Sequence, residues 1–240
     1  MNKTTYGPVT QLIFMPNLFP LNCYLVEDEE GVTLVDACMP FVAKGIEAAI
    51  RSTGKPLTRI LLTHAHDDHI GAVPLLKSRF PDARIGISRR DSALLKGDRS
   101  LRPGEAQTPP KGGLPKTPPF EPDFLFDDGD RFGSLTAVAA PGHTPGHFVF
   151  LETKSNALIA GDAFQSKGGF AVSGRVRWKF PFPALATWDP RTAVDSAKKL
   201  LALKPDLLAV GHGPALVRPA AAIENAIEEA TRALDRRKSG

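Results

Sequence analysis

A chain of 240 residues, 42% of them hydrophobic, can bury a substantial core, and 30 lysines and arginines against 26 aspartates and glutamates leave a formal net charge of only +4. That balance argues weakly for nucleic acid. Two cysteines, Cys23 and Cys38, are too few for a disulfide framework and read as small buried thiols, and no uncharged apolar run reaches the length of a bilayer span.

The first apolar stretch, Val9 to Met15, is broken by Gln11 and closed by Pro16 with no small-residue cleavage site after it. No signal peptide is read there, so a cytoplasmic location is expected. One domain is expected over residues 1–240. Apolar runs at Thr10 to Met15, Leu21 to Glu27 and Gly31 to Asp36 predict three strands, and the spacing of Val42, Ile46, Ala49 and Ile50 predicts a helix over Phe41 to Thr53, closed by Gly54.

A strand over Thr58 to Leu62 runs straight into Thr63-His64-Ala65-His66-Asp67-Asp68-His69. A helix over Ala72 to Phe80, a strand over Ala83 to Ile87 and a short helix around Asp91 to Lys96 follow. Residues 98–123 then change character, carrying Pro103, Pro109, Pro110, Pro115, Pro118, Pro119 and Pro122 and few large apolar side chains. They predict an exposed excursion outside the core. Strands return at Leu135 to Ala139, His147 to Leu151 and Ala157 to Ala160; Asp189-Pro190 opens a helix to about Leu203, Leu207 to Val210 is a last strand, and Pro219 to Arg237 a closing helix.

All six histidines lie in three short stretches: the 63–69 cluster, Pro141-Gly142-His143-Thr144-Pro145-Gly146-His147, and Gly211-His212-Gly213. Asp162 ends Ile159-Ala160-Gly161-Asp162. Each candidate closely follows a predicted strand, so strand ends meeting at one sheet edge would turn these side chains toward a common centre. Five imidazoles and two carboxylates exceed what one tetrahedral zinc uses, and suit two cations bridged by a carboxylate and a solvent molecule.

The pattern H-x-H-x-D-H, matched by His64, His66, Asp68 and His69, with the later His143, Asp162 and His212, resembles the metallo-β-lactamase fold superfamily from about Leu21 to Gly213. The resemblance implies an α/β fold, a four-layer αβ/βα sandwich with the metal site at one edge of the two sheets. It implies one cation on His64, His66 and His143, a second on Asp68, His69 and His212, and Asp162 between them. The cofactors expected are two divalent ions, zinc foremost, with Mn²⁺, Fe²⁺ or Co²⁺ also suited to such donors.

A metal-bridging hydroxide would attack a small ester, lactone or thioester, with Asp68 also relaying a proton to the leaving group. Asp36 is expected to orient a ligand histidine through its second ring nitrogen, and His147 to support the site by hydrogen bonding or to touch substrate. Two alternatives stand beside this reading: a phosphodiesterase or nuclease using the same two ions, and a metal-binding or sensor protein without turnover. The short tail after His212 sets the glyoxalase II branch behind the others, with its thioester chemistry still open.

The segment Phe164 to Trp188 has no acidic residue, carries Lys167, Arg175, Arg177 and Lys179, and is rich in aromatics. It is expected to wall the site, with Phe164 and Trp178 receiving an apolar portion of a small-molecule substrate and Arg175 and Arg177 its anionic end.

Overall fold

The near-continuous apolar runs become strands buried on both faces, in a computed structural model that describes residues 1–238. The first sheet takes its strands in chain order: β1 (Asn2–Tyr6), β2 (Val9–Phe14), β3 (Leu21–Glu27), β4 (Val32–Val35), β5 (Leu57–Leu61), β6 (Arg84–Ser88) and β7 (Phe124–Phe126). Its first half is antiparallel, and from β4 to β7 it is parallel. After β8 (Arg131–Phe132), β9 (Leu135–Ala139), β10 (Phe148–Glu152) and β11 (Ala157–Gly161) comes a small hairpin of β12 (Phe164–Gln165) and β13 (Ala171–Val172). The chain then forms β14 (Leu207–Val210) and β15 (Leu216–Val217), giving a second sheet in the order β15-β14-β11-β10-β9-β8.

The helices are α1 (Ala43–Arg51), α2 (Asp67–Ile70), α3 (Val73–Arg79), α4 (Asp91–Leu95), α5 (Phe182–Ala186), α6 (Pro190–Ala202) and α7 (Ala220–Lys238). Period-two alternation sorts the core into layers. In β3, Leu21, Cys23 and Leu25 join Ile46 and Ile50 of α1 and Leu76 of α3, while Tyr24 and Val26 face the second sheet. In β14, Leu208 and Val210 pack under α6 and α7, while Leu207 and Ala209 face the first sheet. The result is the expected αβ/βα sandwich. Both cysteines are fully buried, as expected.

Three features were not legible. Strand β1 is polar and exposed, held by its pairing to β2, so no periodicity marks it. Helix α1 begins later than expected because a 3₁₀ turn occupies Pro40–Val42. The 98–123 excursion is not wholly outside the core: Leu114 is buried beneath the first sheet's helices and Phe120 packs against the same cluster. Ser239 and Gly240, the end of the expected 1–240 domain, lie outside the described residues. Among the described residues no helix is long and apolar enough to cross a membrane.

Candidate metal centre

Parallel pairing of β4, β5 and β6, and of β11 with β14, brings their carboxyl ends to one edge of the sandwich, where Asp36, the 63–69 cluster, Asp91, Asp162 and His212 leave the sheets. His143 follows β9, and His147 precedes β10, which pairs antiparallel with β9. The sandwich thus brings together histidines as distant in the chain as His64 and His212, 148 positions apart.

Three donors form one group. His66 Nδ1 lies 3.1 Å from His64 Nε2 and 3.0 Å from His143 Nε2, and all three residues are buried. A second group comprises Asp68, His69 and His212, with His212 Nε2 3.4 Å from Asp68 Oδ2. Asp162 reaches both. Its Oδ1 is 3.4 Å from His69 Nε2, and its Oδ2 is 3.2 Å from His212 Nε2 and 3.4 Å from His143 Nε2.

The other nitrogen of each ring is held by an acceptor, which leaves the inward nitrogen with its lone pair free. His64 Nδ1 donates to Thr63 Oγ1 at 2.9 Å, His66 Nε2 to the Lys111 carbonyl at 2.8 Å, and His143 Nδ1 to Ser173 Oγ at 2.9 Å. His69 Nδ1 donates to Asp36 Oδ2 at 2.8 Å, and His212 Nδ1 to the Pro20 carbonyl at 2.6 Å. Asp36 also accepts from the Thr63 amide at 2.9 Å and from its hydroxyl. His147 accepts the Asp162 amide on Nε2 at 3.2 Å, so it fixes that residue's backbone and does not line the cavity.

Burial, reinforced by the crowding of imidazoles, holds His64 well below the ordinary histidine value, and burial holds His143 well below it against the pull of Asp162. Burial lowers His147 to about 3, so it is neutral and able to accept. Burial would also lower His69 and His212, but Asp36, Asp162 and Asp68 around the first, and Asp162 and Asp68 beside the second, raise both. Asp162 is desolvated, yet His212 and His69 keep its carboxyl well below the usual range. Neutral imidazoles are thus favoured at His64, His143 and His147 and an ionised carboxylate at Asp162, while the carboxylates draw positive charge toward His69 and His212.

Two supports escaped the sequence reading. Asp91 accepts from the Ala65 amide at 3.1 Å, the Thr144 hydroxyl at 2.7 Å and the Gly146 amide at 2.8 Å, and so ties two histidine loops together. Its position three residues after β6, an acidic residue beyond a strand end like Asp36 and Asp162, was the available signal. The loop carrying His212 is braced across the sheets by Asn22 Nδ2 and the Tyr24 hydroxyl, which donate to the Val210 carbonyl at 2.7 and 2.6 Å. Gly211 is required there, because a Cβ would lie 2.0 Å from Asp162 Oδ1.

These donors fit a pair of cations. His69 Nε2 and Asp162 Oδ1 are buried and face one another with no hydrogen-bond partner, the arrangement of atoms shaped for a shared ion rather than for each other. Residues 16–212 match the family model of the metallo-beta-lactamase superfamily. The chain belongs to the metallo-beta-lactamase superfamily. It is a metal-dependent hydrolase of that superfamily, similar over 230 residues (96% of this chain, 99% of the other) at 53% identity to the uncharacterized protein YobT of Bacillus subtilis strain 168. It is 33% identical over 206 residues (81% of this chain, 86% of the other) to the hydroxyacylglutathione hydrolase GloC of Haemophilus influenzae. The crystal structure of TTHA1623 in a di-iron-bound form superposes with a TM-score of 0.61 at 29% identity, covering 92% of this chain and 97% of that one.

In this member of the superfamily a cavity of about 570 Å³ opens onto the donors. The wall expected from Phe164, Arg175, Arg177 and Trp178 is not there. Phe164 is fully buried in the second sheet's core, stacked on Phe170 at 5.6 Å. Arg175 Nη2 and Arg177 Nη2 lie 3.0 and 2.6 Å from the Glu229 carboxylate of α7, and Trp178 is 89% exposed and lines no part of the cavity. A long-range ion pair captured the cations, and no local pattern announced it. Other residues of that segment do reach the site: Phe182 and Leu185 of α5 line it, and the Phe180 ring lies 5.4 Å from that of His212. The excursion also contributes, since Gly112 and Gly113 border the cavity beside the Lys111 carbonyl that holds His66.

Proposed function

We propose that this chain is a dinuclear hydrolase of a small carboxylic ester, lactone or thioester. The observation that carries the reading is the placement of Asp162, one carboxylate oxygen toward His69 and the other toward His143 and His212, between two sets of donors. His64, His66 and His143 would hold one cation, Asp68, His69 and His212 the other, with Asp162 shared. Two such ions lower the pKa of bound water toward neutrality and polarise a carbonyl oxygen. Zn²⁺, Mn²⁺, Fe²⁺ and Co²⁺ all suit imidazole and carboxylate donors, and no thiolate selects among them.

The chain's own groups arrange the rest. Asp36, Thr63, Ser173 and the Lys111 and Pro20 carbonyls orient the rings, which spares the centre any reorganisation during turnover. Asp68 is the carboxylate of the set that remains open to the cavity, with a side chain 26% exposed. Its position suits passing the proton lost by water to the departing thiol or alcohol as the acyl bond breaks. The similarity to GloC supports thioester chemistry, and the di-iron form of TTHA1623 supports two ions. A phosphodiester is less well served, since no lysine or arginine is among the residues lining the cavity.

The test is metal analysis of the purified protein alongside turnover of lactones, thioesters, phosphodiesters and β-lactams. Two ions per chain, with lactone or thioester turnover lost in Asp162→Ala, are expected. Turnover of phosphodiesters alone, or full activity in that variant, would overturn the proposal.

A further inference from the structure

We infer that the site selects an uncharged, apolar acyl chain and not an anionic carrier such as glutathione; this rests on the hydrolase reading above and names its substrate class. The cavity wall beyond the metal donors is built from Met15, Phe19, Met39, Phe41, Phe182 and Leu185, drawn from three separate parts of the chain. Phe19 and Phe180 pack against the His212 ring at 5.2 and 5.4 Å, so the apolar wall is continuous with the centre itself. Phe41, Phe182 and Leu185 remain 63%, 51% and 63% exposed around the mouth. Large apolar side chains clustered at a site entrance mark a surface that a ligand covers.

The lining side chains offer an anionic carrier no basic partner. Apart from histidines, the ionisable groups lining the cavity are Asp67, Asp68 and Asp162, all acidic. Of the cations that follow Asp162, Lys167 Nζ donates to the Pro16 and Asn17 carbonyls at 2.9 and 3.1 Å, which pins the loop between Met15 and Phe19, and Arg175 and Arg177 are paired with Glu229. With Asp68 and Asp162 holding metal, a carrier bearing carboxylates would find Asp67 and no lysine or arginine along the lining, whereas an alkyl chain replaces water along the aromatic wall.

The experiment uses the metal-loaded enzyme with acetyl, butyryl, hexanoyl and octanoyl thioesters of neutral N-acetylcysteamine, the butyryl thioester of glutathione, and the matching non-hydrolysable amides in calorimetric titrations. Each added methylene should raise kcat/KM and tighten amide binding about threefold until the cavity is filled. The neutral carrier should exceed glutathione by about tenfold, and Phe182→Ala should weaken octanoyl amide binding by about tenfold. Turnover with a flat chain-length response, or a preference for the glutathione thioester, overturns the inference and leaves the hydrolase standing. Amide binding that tightens with chain length while no thioester or lactone turns over supports the apolar site and sinks the hydrolase reading instead. Hydrolysis of lactones or thioesters in Leu185→Lys with an unaltered octanoyl preference would also count against the inference.

Discussion

The Thr144 hydroxyl donates to Asp91 Oδ2 at 2.7 Å, and through that carboxylate the loop of His143 is tied to the amide of Ala65, between His64 and His66. Asp91 is fully buried, which raises its carboxyl above the ordinary value, and its three donors, the Thr144 hydroxyl and the Gly146 and Ala65 amides, oppose that rise. Asp91→Asn would point an amide N–H₂ at groups that are themselves donors, at a cost of about 1–3 kcal/mol. A fall in Tm of several degrees by calorimetry is expected, with loss of metal from the His64, His66 and His143 set. A variant as stable and as fully metallated as the parent would show that the clasp does not position these rings.

Asp36 acts on the other set. Asp36→Ala removes the acceptor of His69 Nδ1 and of both Thr63 donors, so the His69 ring loses its fixed orientation. Metal affinity of the Asp68, His69 and His212 set should fall about 10- to 100-fold. Elemental analysis after dialysis should then find close to one ion per chain, and two ions retained would refute the assignment.

Glu229 gives a pH-dependent contribution to stability. Hydrogen bonding from Arg177, then from Arg175, lowers its pKa below the ordinary 4.5. A depressed carboxyl pKa contributes stability that is fully present above the unfolded value and is lost as pH falls through the folded one. Partial exposure screens the cluster, which limits it to about 1 kcal/mol. Denaturant midpoints of the parent and Glu229→Gln should differ by a constant amount above about pH 6 and converge toward pH 3. A difference that persists in acid would assign the effect to packing. Because Arg175 and Arg177 face α7 and not the cavity, KM should not change.

Chelation offers a global test. Donors that bind ions in the folded chain and lose their arrangement on unfolding couple ion affinity to stability. Removing metal should lower Tm by several degrees and adding it back should restore it. An unchanged Tm would mean that the donors hold no ion of consequence.

The donors themselves could be read from the chain, because imidazoles and carboxylates grouped at strand ends have few other uses, and apolar runs with period two or near-continuous burial mark their strands wherever they occur. The helices α6 and α7 were legible for the same reason, with Asp189 capping the Thr192 amide at 2.7 Å as its place before Pro190 suggests. What joined those donors was not local. Asp91, the Lys111 carbonyl and Ser173 meet the histidines or the loops that carry them across 26 to 53 residues of sequence, and such hydrogen bonds have no periodicity to betray them. Arg175 and Arg177 looked available to a substrate only until α7 placed Glu229 against them. Composition and spacing thus determined which atoms could hold metal, since that depends on side-chain chemistry. Tertiary structure decided which rings were oriented, which charges were neutralised and which apolar side chains walled the cavity, since those depend on distances between segments that only folding brings together.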